Sequence, residues 1–230
     1  MADDQTQQTV RSEQAAHFIA NFELKTAPEA LMDIAETAFI DTIGVMLAGS
    51  CEPVSRLTTE MAAADEAAPV SAIAGSKVRT SVQNAALANG AATQALDFDL
   101  SFISGQSAAA VIPGLLPLAE SLGSNGRELI AAYIVGCEVC GRIVRSFPGL
   151  SSQGGWHGAG VAGPIAAAAA CARLMGAETR TLSAIIGIAG STAAGLGANF
   201  GTMTKPFHAG LAARSGITAA FLGSRGFTSS

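Results

Sequence analysis

The run Gly201-Thr202-Met203-Thr204-Lys205-Pro206-Phe207-His208-Ala209-Gly210 gathers groups that hold anions and move protons. It carries one of three lysines and one of three histidines in a chain of 230 residues. Pro206 suits the first turn of a helix, where its missing N–H costs nothing. Thr204 or Lys205 would then be the N-cap. A helix start offers unpaired N–H groups and a partial positive charge. Lys205 adds a full charge and His208, one turn on, another donor. The run therefore reads as a seat for a carboxylate or phosphate. A capped helix with a solvated lysine is the structural alternative.

Asp97 and Asp99 end a nearly uncharged helical stretch, where carboxylates oppose the helix dipole. Either another group holds them, or they sit on an exposed turn. His157 stands beside Gly154, Gly155 and the single tryptophan, Trp156. A lone histidine there is open to a structural or a functional reading. His17 lies on a short N-terminal helix and has no functional reading. Ser101 has no activating base beside it, and no nucleophile elbow is present.

The elements that must position these residues are helical. Residues 1–10 read as a disordered tail and 11–230 as one helical domain. Ser12 caps a short helix to about Asn21. Pro28-Glu29 opens a long one with Leu31, Ile34, Ala35, Ala38, Thr42, Val45 and Met46 on one stripe, stopped by Gly49. Further helices are expected over about 54–64, 81–96, 108–122, 157–174, 179–195 and 206–222. Pro113 falls near the start of the 108–122 helix. Asn125-Gly126-Arg127-Glu128 is a capping box that opens another helix, and Pro148-Gly149 closes it. Val70–Ile73 is the best strand-like connection. There is no repeat and no interdomain linker, so the expected fold class is all-α, a layered bundle packed through small side chains.

Composition narrows the partners. The net charge of −5 argues against nucleic acid and anionic membrane surfaces. Apolar residues make up 49% and mean hydropathy is +0.39. Two stretches, Leu182–Thr204 and Leu100–Ala119, carry no charge and are long enough to span a bilayer. Gly, Ser, Thr and Asn interrupt them, and aromatic belts are lacking, so buried helices are expected instead. The acidic, polar start has no signal-peptide pattern, which makes cytoplasm the default location. Cys137 and Cys140 form a C-x-x-C inside a helical pattern, short of a zinc ligand set, and read as core thiols. Gly158-Ala159-Gly160-Val161-Ala162-Gly163 matches the dinucleotide fingerprint. No strand precedes it and no acidic residue stands near the expected offset of about 20, so close helix packing is the better reading.

Taken in order, Asp41-Thr42-Ile43-Gly44-Val45 with Leu47-Ala48-Gly49, Asn89-Gly90-Ala91-Ala92, Ala95-Leu96-Asp97-Phe98-Asp99, Gly136-Cys137-Glu138-Val139 and Thr204-Lys205-Pro206-Phe207-His208-Ala209-Gly210 resemble the MmgE/PrpD family. That family includes 2-methylcitrate dehydratase, cis-aconitate decarboxylase and iminodisuccinate epimerase. The resemblance runs from about residue 12 to the end. It implies a large helical domain, a smaller α+β lid, usually a homodimer, and no metal or organic cofactor. It also implies a small di- or tricarboxylate substrate and removal of a proton next to a carboxylate, which needs a placed acid/base and a cation. By position it makes Asp97, His157 and Lys205 catalytic, with Ser101, Gln106 and His208 at the substrate.

Three departures stand out. The family's Asp-Phe-Asp-Asp-Thr reads Asp-Phe-Asp-Leu-Ser here. Family histidines are replaced by Gln106, which cannot shuttle a proton, and by Gln94. The sequence stops at Ser230, about where the family's lid begins. An open cleft and an uncovered apolar face are therefore expected. Three explanations fit: a fragment, a split enzyme whose second chain supplies the lid, or a non-catalytic helical scaffold. The leading expectation is a 2-methylcitrate dehydratase-like lyase, with decarboxylase or epimerase chemistry as alternatives.

Overall fold

Small side chains decide how closely these helices approach. The computed structural model describes residues 2–101, 107–150 and 154–229, with the backbone alone for 2–11 and 107. Among the described residues it contains nine α-helices: α1 Ala2–Asn21, α2 Glu29–Gly49, α3 Pro53–Ala64, α4 Val82–Gln94, α5 Ser107–Leu122, α6 Gly126–Ser146, α7 Gly158–Leu174, α8 Thr179–Ser191 and α9 Thr204–Gly223. The strands β1 Ser71–Ala72 and β2 Arg79–Thr80 form one antiparallel ribbon, with Ser71 opposite Thr80. The all-α expectation is met, and the ribbon falls on the expected extended segment.

Helix α7 is central, packed against α5, α6, α8 and α9. It can be surrounded because Ala166 through Ala170 carry only methyl groups and are completely buried. The same economy brings α4 onto α9. A Cβ built on Gly90 would lie 2.7 Å from the Cα of Gly210, and one on Gly210 would strike the Leu87 carbonyl. Two clusters complete the core. Ile19, Val135, Leu182, Ile185 and Ile217 join α1, α6, α8 and α9. Val111, Ile112, Leu115 and Tyr133 join α5 and α6, with the Phe39 ring tilted at 64° on Tyr133.

Several expectations shift at element boundaries. α1 begins at Ala2 rather than Ser12, taking in the stretch expected as a tail. No Gly or Pro occurs between residues 2 and 21 to break it. Gly49 lies inside α2, the cap being Ser50, and its missing Cβ makes room for the Ala92 carbonyl. α8 ends at Ser191, and residues 192–203 form a separate strap leading into α9. The Asn125–Glu128 capping box is present with both of its hydrogen bonds. Among the described residues, no helix is long and apolar enough to cross a membrane.

Candidate active site

Asp97 reaches the site through an unusual backbone. α4 ends at Gln94, the Asp97 N–H donates to the Gln94 carbonyl at 3.3 Å, and Asp97 takes φ 57°. That left-handed value is uncommon outside glycine, though aspartate adopts it more readily than most residues. The turn leaves the Asp97 carboxylate against Lys205 on the first turn of α9, with Oδ1 2.5 Å from Nζ. The Lys205 side chain is 18% exposed and that of Asp97 56%. A pair this wet contributes only about 0–1 kcal/mol to stability, so its worth is positional: it parks an ammonium at an open edge.

The start of α9 corrects the cap expected at Thr204 or Lys205. The N-cap is Met203, with no side-chain cap bond. The Thr204 N–H donates to the Thr202 hydroxyl at 3.3 Å, and the Lys205 N–H to the Thr202 carbonyl at 3.1 Å. The Phe207 N–H donates to the Met203 carbonyl, and Pro206 has none to give. The strap's last turn has thus consumed the donors expected to cradle an anion. Positive charge at this end of the helix is left to the Lys205 side chain.

His157 is the N-cap residue of α7, and its N–H donates to the Gly195 carbonyl at 2.9 Å. The residue is 4% exposed, and its ring lies between two others. Nδ1 is 3.1 Å from Nδ1 of His208, and the Phe200 ring stands perpendicular at 5.2 Å. Burial pushes His157 down to about 4; the neighbouring His208 and Lys205 push the same way, and Asp97 opposes them. His157 is therefore neutral near pH 7. Its Nε2 is buried and, among the described residues, has no hydrogen-bond partner. Burial also lowers His208. Gly195, at φ 124°, packs beside the His208 ring, where a Cβ would come within 3.2 Å of Cγ.

Asp97, Lys205, His157 and His208 are brought together. Phe200 links them, since the Lys205 ammonium also lies 5.9 Å from its ring centre. Ser101 is exposed at the end of the Asp97–Ser101 segment and makes no hydrogen bond to the other described site residues. Gln106 lies outside the described residues. Two participants were missed as site residues. Phe200 comes from the strap and carries no sequence signal. Asp99 was visible as the second carboxyl of the pair. It is 7% exposed and raised to about 7, by burial first and then by Asp97 and Asp41, against its own backbone hydrogen bond and Lys205.

The other candidates resolve as packing. Gly160 admits the Ala194 carbonyl, and Gly163 sits between the Ala110 and Ala212 methyls, which accounts for the fingerprint-like glycines. Cys140 is buried, with its thiol pushed up to about 12 by burial and by Cys137. A hollow of about 710 Å³ lies elsewhere, between the start of α8 and the end of α9. Of its charged lining residues, Glu178 and Arg180 pair at 2.5 Å, and Arg225 stacks on the Phe221 ring.

The profile of the MmgE/PrpD N-terminal domain matches residues 13–230. The chain belongs to the MmgE/PrpD family. Cis-aconitate decarboxylase of Homo sapiens is 32% identical over 190 residues, covering 80% of this chain and 40% of that protein. The cis-aconitate decarboxylase of Mus musculus is 28% identical over 218 residues, 92% of this chain and 45% of the relative. That of Aspergillus terreus is 28% identical over 235 residues, 98% and 48%. This MmgE/PrpD domain thus spans less than half the length of these curated relatives.

Proposed function

We propose that this MmgE/PrpD domain belongs to a lyase that decarboxylates a small unsaturated tricarboxylate of the cis-aconitate kind. The observation that carries the reading is the Lys205–Asp97 pair beside a buried, neutral His157. The curated relatives support the reaction class. Lys205 would exchange Asp97 for a substrate carboxylate, a charge-assisted bond stronger than its present half-wet one. The C–C bond to an allylic carboxylate breaks and carbon dioxide leaves. The electron pair shifts the double bond, and the far alkene carbon takes a proton. The three negative charges of the bound substrate favour protonation of His157 at Nε2, and that imidazolium then gives its proton to carbon.

Two measurements test this. Lys205→Met is expected to weaken binding of cis-aconitate by about tenfold or more, the loss of one charged hydrogen bond; unchanged affinity by calorimetry would overturn the assignment. Binding is also expected to take up close to one proton, read from calorimetry in two buffers of different ionisation enthalpy. A second reading, dehydration of a 2-methylcitrate-like hydroxy acid, draws on the same Nε2, without a partner among the described residues, whose lone pair could take a proton from carbon. It requires binding without proton uptake. For assembly we propose a homodimer, on the exposed row Ile40, Ile43 and Leu47 along α2.

A further inference from the structure

Two neutral imidazoles with their Nδ1 atoms 3.1 Å apart can share only one hydrogen. One ring must donate Nδ1–H and the other must present its Nδ1 lone pair. Which ring donates decides the state of the far nitrogen of His157. If His157 donates, its Nε2 is a bare lone pair. If His208 donates, the Nε2 of His157 carries the hydrogen.

The surroundings separate the two cases. Nε2 of His157 is buried without a partner among the described residues. A buried N–H without an acceptor is rarer than an under-satisfied acceptor. Both imidazoles are held still by one residue. The Gly195 carbonyl anchors the His157 backbone, and Gly195 packs so close to the His208 ring that a Cβ on it would come within 3.2 Å of Cγ and Nδ1. We infer that His208 is a positioning residue, whose Nδ1 accepts the Nδ1–H of His157 and so keeps Nε2 of His157 as the unprotonated nitrogen of the site. This deepens the proton role proposed for His157 and rests on it for its meaning, though its principal readout needs no activity.

The experiment is long-range proton–nitrogen correlation on the ligand-free full chain, labelled at histidine, near neutral pH. The chain has three histidines, so each is assigned by single replacement. His157 is expected to show a protonated Nδ1 and an unprotonated Nε2, and His208 the reverse. His208→Asn offers a carbonyl oxygen near the former Nδ1 and is expected to keep that tautomer. His208→Leu removes the acceptor and is expected to shift His157 toward Nε2–H. A wild-type His157 protonated at Nε2 overturns the inference, as does an unchanged tautomer in a folded His208→Leu. If His208→Leu does not fold, the wild-type and His208→Asn spectra decide. Where cis-aconitate is turned over, His208→Leu is expected to lower kcat by about tenfold or more with KM nearly unchanged, and His208→Asn to restore most of it. Equal losses in both variants overturn the role. The expected tautomers together with an unchanged affinity of Lys205→Met for cis-aconitate refute the proposed function and leave the positioning role standing.

Discussion

Two buried titratable side chains pull the stability of this domain in opposite directions as pH changes. Asp99 has a folded value of about 7 against 3.8, so its contribution is complete below about 3.8 and lost as pH rises through about 7. His157 has a folded value of about 4 against 6.5, so its contribution is complete above about 6.5 and lost as pH falls through about 4. At about 1.4 kcal/mol per pH unit Asp99 is worth roughly 4 kcal/mol and His157 roughly 3, and they oppose each other between about pH 4 and 6.5. Replacing Asp99 by Asn removes one arm. Relative to wild type, Asp99→Asn is expected to gain stability from about pH 4 to about pH 7 and to level off above it in urea melts; a difference independent of pH would show that the Asp99 carboxyl is not held protonated. The acid–base pattern itself was only half legible. Lys205, His157, His208 and Asp97 announce themselves as rare charged or polar residues in an apolar chain. Burial is a property of the fold, so the raised Asp99 could be placed in sequence but not weighed.

The helices were readable where their signals are local. The Asn125–Glu128 box needs only neighbours three residues apart, and it forms as expected. The start of α9 was misread because its donors are taken by Thr202 and Met203 at the end of the strap, which no local rule announces. Glycine shows the same division. Gly210 and Gly114 both lie in helices, yet they face different surroundings. A Cβ on Gly210 meets the backbone of α4, whereas one on Gly114 finds only ordinary contacts from 3.6 Å outward. Gly210→Ala is expected to cost about 1–3 kcal/mol by overpacking. Gly114→Ala is expected to gain roughly 0.5–1 kcal/mol of helix propensity. Thermal melts that move both variants the same way would contradict the close α4–α9 crossing.

At the scale of the whole molecule, the all-α class followed from periodicity and from capping, and the family followed from short motifs kept in order. What no pattern revealed was which apolar residues stay outside. Ile40 is 75% exposed and Leu47 49%, in one row with Ile43 on a helix whose other face is core. If copies pair through this row, Ile40→Glu is expected to yield monomer under conditions where the wild-type chain is dimeric, as read by light scattering. A wild-type monomer, or a variant that still pairs, would remove α2 from consideration.

The strap between α8 and α9 has a consequence beyond its length. Its carbonyl at Gly195, its N–H groups at Ala194 and Gly197, and the Trp156–Leu196 bridge all fasten it to the segment that carries His157. The two imidazoles, distant in the chain, meet only while that seam is closed. A lesion at a residue bearing no reactive group, such as a bulky side chain at Gly160, would therefore disarm the acid–base couple from a distance while every proton-carrying side chain remained in the gene.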